Sequence, residues 1–218
     1  MKHVKIKICG ITEKEIALLC AEQKVDFLGL HQIKYPLTEE KKALFSKIKE
    51  KVPQIKLVLV TQEVDQDNLL EMCLACDWDY IQLHFDIKAG DIAKLRSNLI
   101  KNSSKAGIIS VVALNDLEKY DIAELSKFSD FLLFDSSIHG GTGTLSSEEV
   151  LKKASVSAKG TDFFIAGGLN VDNVAKVIKI CHPYGVDVQS GVEFPNIKYK
   201  KDPERIRSFV GAVRSCYK

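Results

Sequence analysis

A cysteine and an aspartate close two short apolar runs far apart in the chain, and together they could move protons. Cys9 ends the run "VKIKIC", ahead of Gly10, and Asp135 ends "DFLLFD". A thiolate can remove a proton from carbon or attack a carbonyl, and a carboxylic acid that burial keeps protonated can donate one. In the alternative interpretation Cys9 fills the core and Asp135 caps the following loop. Spacing alone leaves both interpretations open.

Two glycine-containing segments after later apolar runs could bind an anion. "AGGL" contains Gly167 and Gly168, and "QSGVE" contains Ser190 and Gly191. Bare backbone N–H groups near helix starts, in the favourable field of the helix dipole, form sites for phosphate. The alternative is that the glycines only allow tight turns. Their occurrence in both segments favours phosphate binding.

A third glycine-rich segment, "HGGTGT", is too long to be a tight turn alone. Gly140, Gly141 and Gly143 are hinge candidates for a loop that closes over a bound substrate. A loop that is merely flexible is the alternative.

Eight apolar runs separated by polar, amphipathic stretches predict the fold. The runs begin near residues 4, 26, 55, 79, 106, 130, 162 and 185. Helix signals lie between them: "TEKE" (12–15) is a predicted capping box, "TEEK" (38–41) opens another helix, and Asp202 precedes Pro203 as a predicted N-cap. Parallel strands need crossover connections, so strands that alternate with helices predict a parallel α/β sheet.

The number of units indicates that this sheet closes. Eight strand–helix units follow one another with no Pro/Gly/Ser-rich linker, and no G-x-G-x-x-G follows the first strand. These features favour one (β/α)8 TIM barrel domain spanning 1–218 over an open doubly wound sheet. Strand C-termini and the loops after them meet on one rim of such a barrel. We expect that rim to carry Cys9, the stretch around Lys34, His84, Asp135, 139–144, 166–170 and 189–193.

Composition argues against several classes of partner. The 31 basic and 29 acidic residues are spread along the chain, so no basic stripe indicates nucleic-acid binding. No apolar run approaches the roughly 18 residues of a membrane-spanning helix, and the segment "MKHVKIKICGITEKE" lacks the features of a signal peptide. We therefore predict a cytoplasmic protein without a membrane or nucleic-acid partner.

The six cysteines, at 9, 20, 73, 76, 181 and 216, are expected to be free thiols in that compartment. Cys73 and Cys76 form a lone C-x-x-C. Apolar residues at 69, 70, 73 and 76 fit a buried helix face, which favours packing over zinc or redox chemistry. No metal site is predicted.

Taken in order, the motifs resemble phosphoribosylanthranilate isomerase, a TIM barrel of tryptophan biosynthesis. They are "KICGIT", "QLH", "LLFDS" followed by "GGTG", "AGGL" with "NV", and "GVDVQSGVE" with "KD". The resemblance implies an Amadori rearrangement of N-(5'-phosphoribosyl)anthranilate, a phosphorylated sugar, without a metal or organic cofactor. It implies Cys9 as the general base and Asp135 as the general acid. It also implies that Gly167, Gly168, Ser190 and Gly191 bind the phosphate.

One departure concerns the substrate. After the second strand the family has an arginine that binds the anthranilate carboxylate, whereas this chain reads "GLHQIKYPLTEE". Lys34 is a candidate replacement, although it lacks the planar fork of arginine, and His31 is another. Alternatives are therefore a paralogous isomerase or epimerase acting on another phosphorylated sugar, and a non-catalytic phosphate-binding barrel. Retention of both Cys9 and Asp135 argues against the last.

Overall fold

Parallel strands close into an eight-stranded barrel in the computed structural model, which describes residues 3–136 and 145–217. Each strand pairs with the next in chain order, and the last pairs with the first. The strands are β1 (Lys5–Cys9), β2 (Phe27–His31), β3 (Lys56–Thr61), β4 (Tyr80–Leu83), β5 (Gly107–Ala113), β6 (Phe131–Asp135), β7 (Phe163–Ile165) and β8 (Gly185–Val188).

A helix follows each strand and covers the outside of the barrel. The helices are α1 (Lys14–Glu22), α2 (Glu39–Lys51), α3 (Gln66–Leu74), α4 (Ala89–Lys101), α5 (Ile122–Phe128), α6 (Glu148–Ser157), α7 (Val174–Cys181) and α8 (Pro203–Ser215). Two 3₁₀ turns, Leu114–Lys119 and Ser190–Val192, lie in loops after β5 and β8. The predicted (β/α)8 barrel is thus confirmed, while its extent as one domain over 1–218 stays a prediction.

Capping residues confirm two of the predicted helix starts and correct a third. Thr38 accepts a bond from the backbone N–H of Lys41, and the Asp202 carboxylate caps α8 ahead of Pro203. The capping box over 12–15 is wrong, because α1 begins at Lys14 after an extended Glu13 that makes no side-chain cap. The N–H groups of residues 10 and 11 both donate to the Gly29 carbonyl. These bonds hold the segment against β2, so α1 begins only after it.

Alternation along the strands divides the apolar residues between two cores. In β1, Ile6 and Ile8 pack outward under the helices, whereas Lys7 and Cys9 point into the barrel. An aromatic cluster fills the lower interior, with edge-to-face and stacked contacts. Its members are Phe27, Tyr80, Phe131, Phe164 and Tyr184. The barrel interior is therefore filled with apolar side chains on the side away from the C-terminal ends of the strands.

All six cysteines are unpaired thiols. Cys73 is buried on α3, but the helix ends at Leu74, so Cys76 lies beyond it and not on the helix face expected from the sequence. Within 3–136 and 145–217, no group of three His, Cys, Asp or Glu side chains could hold a metal ion. No helix in those ranges is long and apolar enough to cross a membrane.

Candidate active site

A cavity of about 360 Å³ opens at the C-terminal ends of the strands. It brings together seven residues that were candidates from the sequence, namely Cys9, His31, His84, Asp135, Gly167, Gly168 and Ser190. Its size lies within the range of roughly 300–1,000 Å³ that small-molecule sites occupy. Gly140, Gly141 and Gly143 lie outside the described residues, so the predicted hinge stays a prediction.

The Cys9 thiol lies at the bottom of this cavity with an imidazole beside it. Its Sγ is 3.1 Å from His31 Nε2, within hydrogen-bond distance. Burial raises the pKa of Cys9 to about 11, and the nearby Lys7 ammonium opposes that rise. The thiol is therefore protonated at neutral pH in the resting site, and its use as a base requires a group that removes its proton.

Lys7 forms a buried ion pair directly below the thiol. Its Nζ donates to Asp187 Oδ2 at 2.9 Å, and its side chain is fully buried. Gly29 makes room for this arrangement, because a Cβ there would lie 2.7 Å from Cys9 Sγ and 3.2 Å from Lys7 Nζ. Burial lowers the pKa of Lys7, but the Asp187 carboxylate and the neighbouring Cys9 together outweigh this effect and leave the pKa raised. A fixed positive charge therefore stands beneath the reacting sulfur.

His31 is the last residue of β2, and the sequence did not indicate its contact with Cys9. Burial is the main cause that lowers its pKa to about 3, with the Lys7 ammonium adding to the effect. The imidazole is consequently neutral at neutral pH, and it is a weaker base than an exposed histidine. The i, i+2 spacing of Gly29 and His31 puts both residues on one face of β2, but the contact with Cys9 follows only from the register that pairs Cys9 with Gly29.

Asp135 and His84 also line the cavity. Asp135 ends β6, and the Ser136 hydroxyl donates to its Oδ1 at 3.3 Å. His84 follows β4, and its Nδ1 lies 3.1 Å from Gln82 Nε2. The structure thus places the predicted acid on the lining that also holds the thiol.

The two glycine loops have the open backbone that an anion needs, although their helix starts differ from expectation. Gly167 and Gly168 have φ of +84° and +68°, a conformation that glycine adopts without strain. A Cβ at Gly167 would lie 2.3 Å from Ser136 Oγ, and one at Gly191 would lie 2.0 Å from the Leu169 carbonyl oxygen. These glycines therefore allow neighbouring loops to pack closely.

The loop after β7 leads into an α-helix, but α7 begins only at Val174, several residues beyond Gly168. After β8 the chain forms the 3₁₀ turn Ser190–Val192, and α8 starts only at Pro203. Within the described ranges, no hydrogen bond is formed by the backbone N–H groups of Gly167, Gly168, Ser190 and Gly191. An anion in these loops would therefore be bound mainly by backbone N–H groups and not by the dipole of a helix.

Lys34 does not reach the cavity. Its Nζ donates to the Gln62 carbonyl at 2.7 Å and lies 3.9 Å from Glu63 Oε1. It is absent from the cavity lining, to which the loop after β8 instead contributes Lys198 and Tyr199. The sequence signal for this loop is the segment "FPNIKYKKD" (194–202), although Lys198 and Tyr199 were not among the predicted site residues.

A second buried ion pair fixes the loop after β8 close to the start of α8. Lys201 Nζ lies 2.9 Å from Glu193 Oε1 and 3.1 Å from the Gln189 carbonyl oxygen. The Tyr199 ring meets the His31 ring edge to face, with 5.9 Å between centroids. The loop therefore brings a tyrosine over the end of β2 and a lysine to the rim.

A closed (β/α)8 barrel with a cavity at the C-terminal ends of its strands has the architecture of the TIM-barrel enzymes. The family model "N-(5'phosphoribosyl)anthranilate (PRA) isomerase" matches residues 6–212. The isomerase of that name from Aquifex aeolicus is 35% identical, over 97% of this chain and 99% of its own. The one from Moorella thermoacetica is 33% identical, over 98% and 91%. The chain belongs to the N-(5'-phosphoribosyl)anthranilate isomerase family, which confirms the resemblance found in the sequence.

Solved structures agree with the fold. TrpF from Jonesia denitrificans is 25% identical with a TM-score of 0.74 and covers 98% of each chain. A phosphoribosyl anthranilate isomerase in complex with reduced 1-(o-carboxyphenylamino)-1-deoxyribulose 5-phosphate is 22% identical. It has a TM-score of 0.75 and covers 97% of this chain and 99% of its own.

Proposed function

We propose that this chain catalyses the Amadori rearrangement of N-(5'-phosphoribosyl)anthranilate, with Cys9 as the general base and Asp135 as the general acid. The observation that carries the proposal is that both groups line one cavity with the glycine loops. The thiol sits on β1 and the carboxyl on β6, so a sugar between them would meet a different group on each side.

The reaction needs only proton transfers. The Asp135 carboxylic acid gives its proton to the furanose ring oxygen as the C1–O bond breaks, which leaves an iminium ion. The Cys9 thiol gives up its proton through solvent to the Asp135 carboxylate, which restores the acid. The positive nitrogen acidifies the C2 proton, and the Cys9 thiolate removes it to form an enaminol, which restores the thiol. The enaminol tautomerises to the 1-deoxyribulose product. Positioned acid–base groups of this kind contribute about 10²- to 10⁴-fold each.

The phosphate end of the substrate is assigned to Gly167, Gly168, Ser190 and Gly191. The backbone N–H groups of these residues are available as donors. Ser190 lines the cavity, as do Gln189 and Asp187. With the substrate phosphate bound at these loops, the sugar carbons would lie near Cys9 in the same cavity.

The aromatic end of the substrate is assigned to the rim near β2, where Tyr199 packs on His31 and Lys198 supplies a positive charge. This replaces the sequence-based choice of Lys34, which the geometry turns toward Glu63. Asp187 adds an acceptor, because within the described residues its buried Oδ1 has no hydrogen-bond partner. That oxygen can accept a bond from the substrate amine or a sugar hydroxyl.

A second candidate is an isomerase for another phosphorylated sugar, favoured by the turned-away Lys34 in the loop after β2. A fluorescence assay distinguishes the two candidates: it measures whether purified protein removes the fluorescence of phosphoribosylanthranilate. Turnover of this substrate with Cys9 and Asp135 required supports the proposal. Absence of turnover, together with thermal protection by simple sugar phosphates, would favour the second candidate.

A further inference from the structure

A second cavity, of about 710 Å³, lies between α1 and α2 and opens beside the catalytic rim. We propose that this cavity binds a small apolar carboxylate, with its apolar body against the outer face of β2 and β3 and its carboxylate on Lys41. The site is additional to the one assigned to phosphoribosylanthranilate, and its ligand takes no part in the reaction. It can therefore be tested without substrate.

The barrel wall separates this cavity from the catalytic one. Leu30 of β2 and Leu59 of β3 are paired across the two strands, and both line the second cavity. They pack under the helices, whereas Cys9 packs with the side chains inside the barrel. Side chains alternate between the two faces of a strand, so the second cavity lies outside the wall. The two cavities meet at the rim, where both are lined by His31, Ile33 and Tyr199.

The size and lining of the second cavity suit an apolar ligand body. Its walls include Ile11 from the segment after β1, Leu44 from α2 and Trp78 from the loop before β4. Helix α1 begins only at Lys14, so an extended segment and not a helical turn forms one side of the cavity. Sites for small molecules typically occupy roughly 300–1,000 Å³ and are mostly apolar, with a few polar groups that orient the ligand.

Lys41 of α2 supplies the charged group in this lining. Its Nζ donates to the His31 carbonyl oxygen at 2.5 Å. Throughout the described part of the chain it forms no ion pair, whereas the next residue, Lys42, pairs with Glu39 at 2.7 Å. Burial lowers the pKa of Lys41, so its ammonium is partly removed from water. An ammonium has three N–H donors, and a carboxylate that accepts the remaining ones forms strong charge-assisted hydrogen bonds.

The other charges around the cavity favour a ligand with a single negative charge. Lys14 and Lys47 line it together with Glu15 and Glu40. Lys14 Nζ lies 3.6 Å from Glu15 Oε1, so these two charges largely offset each other. Glu40 acts on Lys41 and raises its pKa against the effect of burial. The lining thus has one more basic than acidic side chain, which suits a monocarboxylate better than a phosphate dianion.

Trp78 provides a reporter inside the cavity, because it is the one tryptophan of the chain. Its Nε1 donates to the Met72 carbonyl at 3.2 Å, and its ring packs on Phe45 with 4.3 Å between centroids. An iodinated aromatic ligand in contact with this indole quenches its fluorescence. 4-Iodobenzoate is the probe, and 4-iodobenzamide has nearly the same shape without the charge.

The test is a fluorescence titration of the purified full chain with each probe at pH 7 and low salt, corrected for absorption by the probe. We expect saturable quenching by both, with a Kd for 4-iodobenzoate about fivefold to tenfold lower than for 4-iodobenzamide. Lys41→Met should raise the Kd of 4-iodobenzoate about fivefold or more and change that of 4-iodobenzamide less than about twofold. Lys41→Arg keeps the charge and should retain the preference, and circular dichroism checks that the variants are folded.

Lys198→Met is the matched control, because Lys198 lines the catalytic cavity and not the second one. It should leave the Kd of both probes unchanged. The proposal is overturned by equal Kd values for the two probes on the native chain, or by the absence of saturable quenching. It is also overturned if Lys198→Met, and not Lys41→Met, weakens 4-iodobenzoate, because the probe then occupies the catalytic cavity. None of these outcomes depends on turnover of phosphoribosylanthranilate, so the proposed function stands or fails separately.

Discussion

Lys7 and Asp187 are paired residue to residue across β1 and β8, and their side chains meet inside the barrel with 2.9 Å between Nζ and Oδ2. Both side chains are buried, so the pair is shielded from water and salt. Register alone brings the two charges together. The ion pair joins the first and last strands next to the Cys9 thiol.

Removing one partner of this pair should destabilise the fold. Lys7→Met leaves the Asp187 carboxylate buried without its ammonium partner, and we expect a loss of about 3–5 kcal/mol in the free energy of unfolding. Urea denaturation followed by circular dichroism measures it. Lys42→Met is the control, because the exposed Lys42–Glu39 pair at 2.7 Å should contribute less than about 1 kcal/mol. Equal losses in the two variants would contradict this account.

Buried thiols should make stability fall in alkaline solution. Burial raises the pKa of Cys9 to about 11 and those of Cys20 and Cys73 to about 12, from 9.0. Above pH 9 the unfolded chain loses these protons while the folded chain keeps them, so the free energy of unfolding decreases as pH rises. Each thiol contributes a slope of up to about 1.4 kcal/mol per pH unit.

Urea titrations between pH 6 and pH 10 measure this dependence. The double variant Cys20→Ala, Cys73→Ala should have a shallower slope above pH 9, because it lacks two of the thiols whose pKa burial raises. Between pH 6 and pH 7 its slope should equal that of the native chain. The explanation fails if the two slopes remain equal up to pH 10.

Sequence periodicity was sufficient for the barrel, because each parallel strand is a local apolar run and each helix has its own local signals. Strands begin at or one residue after the predicted positions, as β1 does at Lys5. The predictions that were wrong concern features that depend on tertiary contacts. The start of α1 depends on two hydrogen bonds to Gly29 of the next strand, and the direction of Lys34 depends on Glu63 after β3.

The same distinction applies within the candidate site. Cys9 and Asp135 could be predicted because each ends a strand, and position on a strand fixes position on the rim. Their neighbours could not, since the contact of Cys9 with His31 depends on the register of two strands. Tyr199 reaches the rim from a loop whose path is set by the buried Lys201–Glu193 pair, far from any local signal.

Gly29 should not accept a side chain. A Cβ there would lie 2.7 Å from Cys9 Sγ, with Lys7 Nζ 3.2 Å away. We expect Gly29→Ala to cost about 1–3 kcal/mol of stability by overpacking and to lower kcat by displacing the thiol. Thermal unfolding and the fluorescence assay measure the two effects.

Gly211→Ala is the matched control for that substitution. Gly211 lies in α8, exposed, with no atom within 4 Å of an added Cβ. Alanine there should raise stability by up to about 1 kcal/mol and leave kcat unchanged, because glycine disfavours a helix interior. If Gly29→Ala behaved in the same way, the close approach of Cys9 and Gly29 would not exist in solution.

Cys9→Ser should separate chemistry from binding. Serine has nearly the same shape but is a far weaker base at neutral pH, so we expect kcat to fall about 10²- to 10⁴-fold. The affinity for inorganic phosphate, measured by calorimetry, should change little, because the phosphate loops are built from other strands. A parallel loss of phosphate affinity would show that the residue acts in binding rather than in proton transfer.

Lys198, rather than Lys34, should recognise the carboxylate of the substrate. Lys198 lines the cavity, whereas Lys34 Nζ is 2.7 Å from the Gln62 carbonyl oxygen. We expect Lys198→Met to raise KM about fivefold to tenfold, equivalent to about 1–1.4 kcal/mol, with kcat nearly unchanged. Lys34→Met removes a charge from the same side of the barrel, and its KM should stay within about twofold of the native value. Steady-state kinetics on the two variants decide between the lysines: a larger KM effect at Lys34 would mean that the loop after β2 binds the carboxylate.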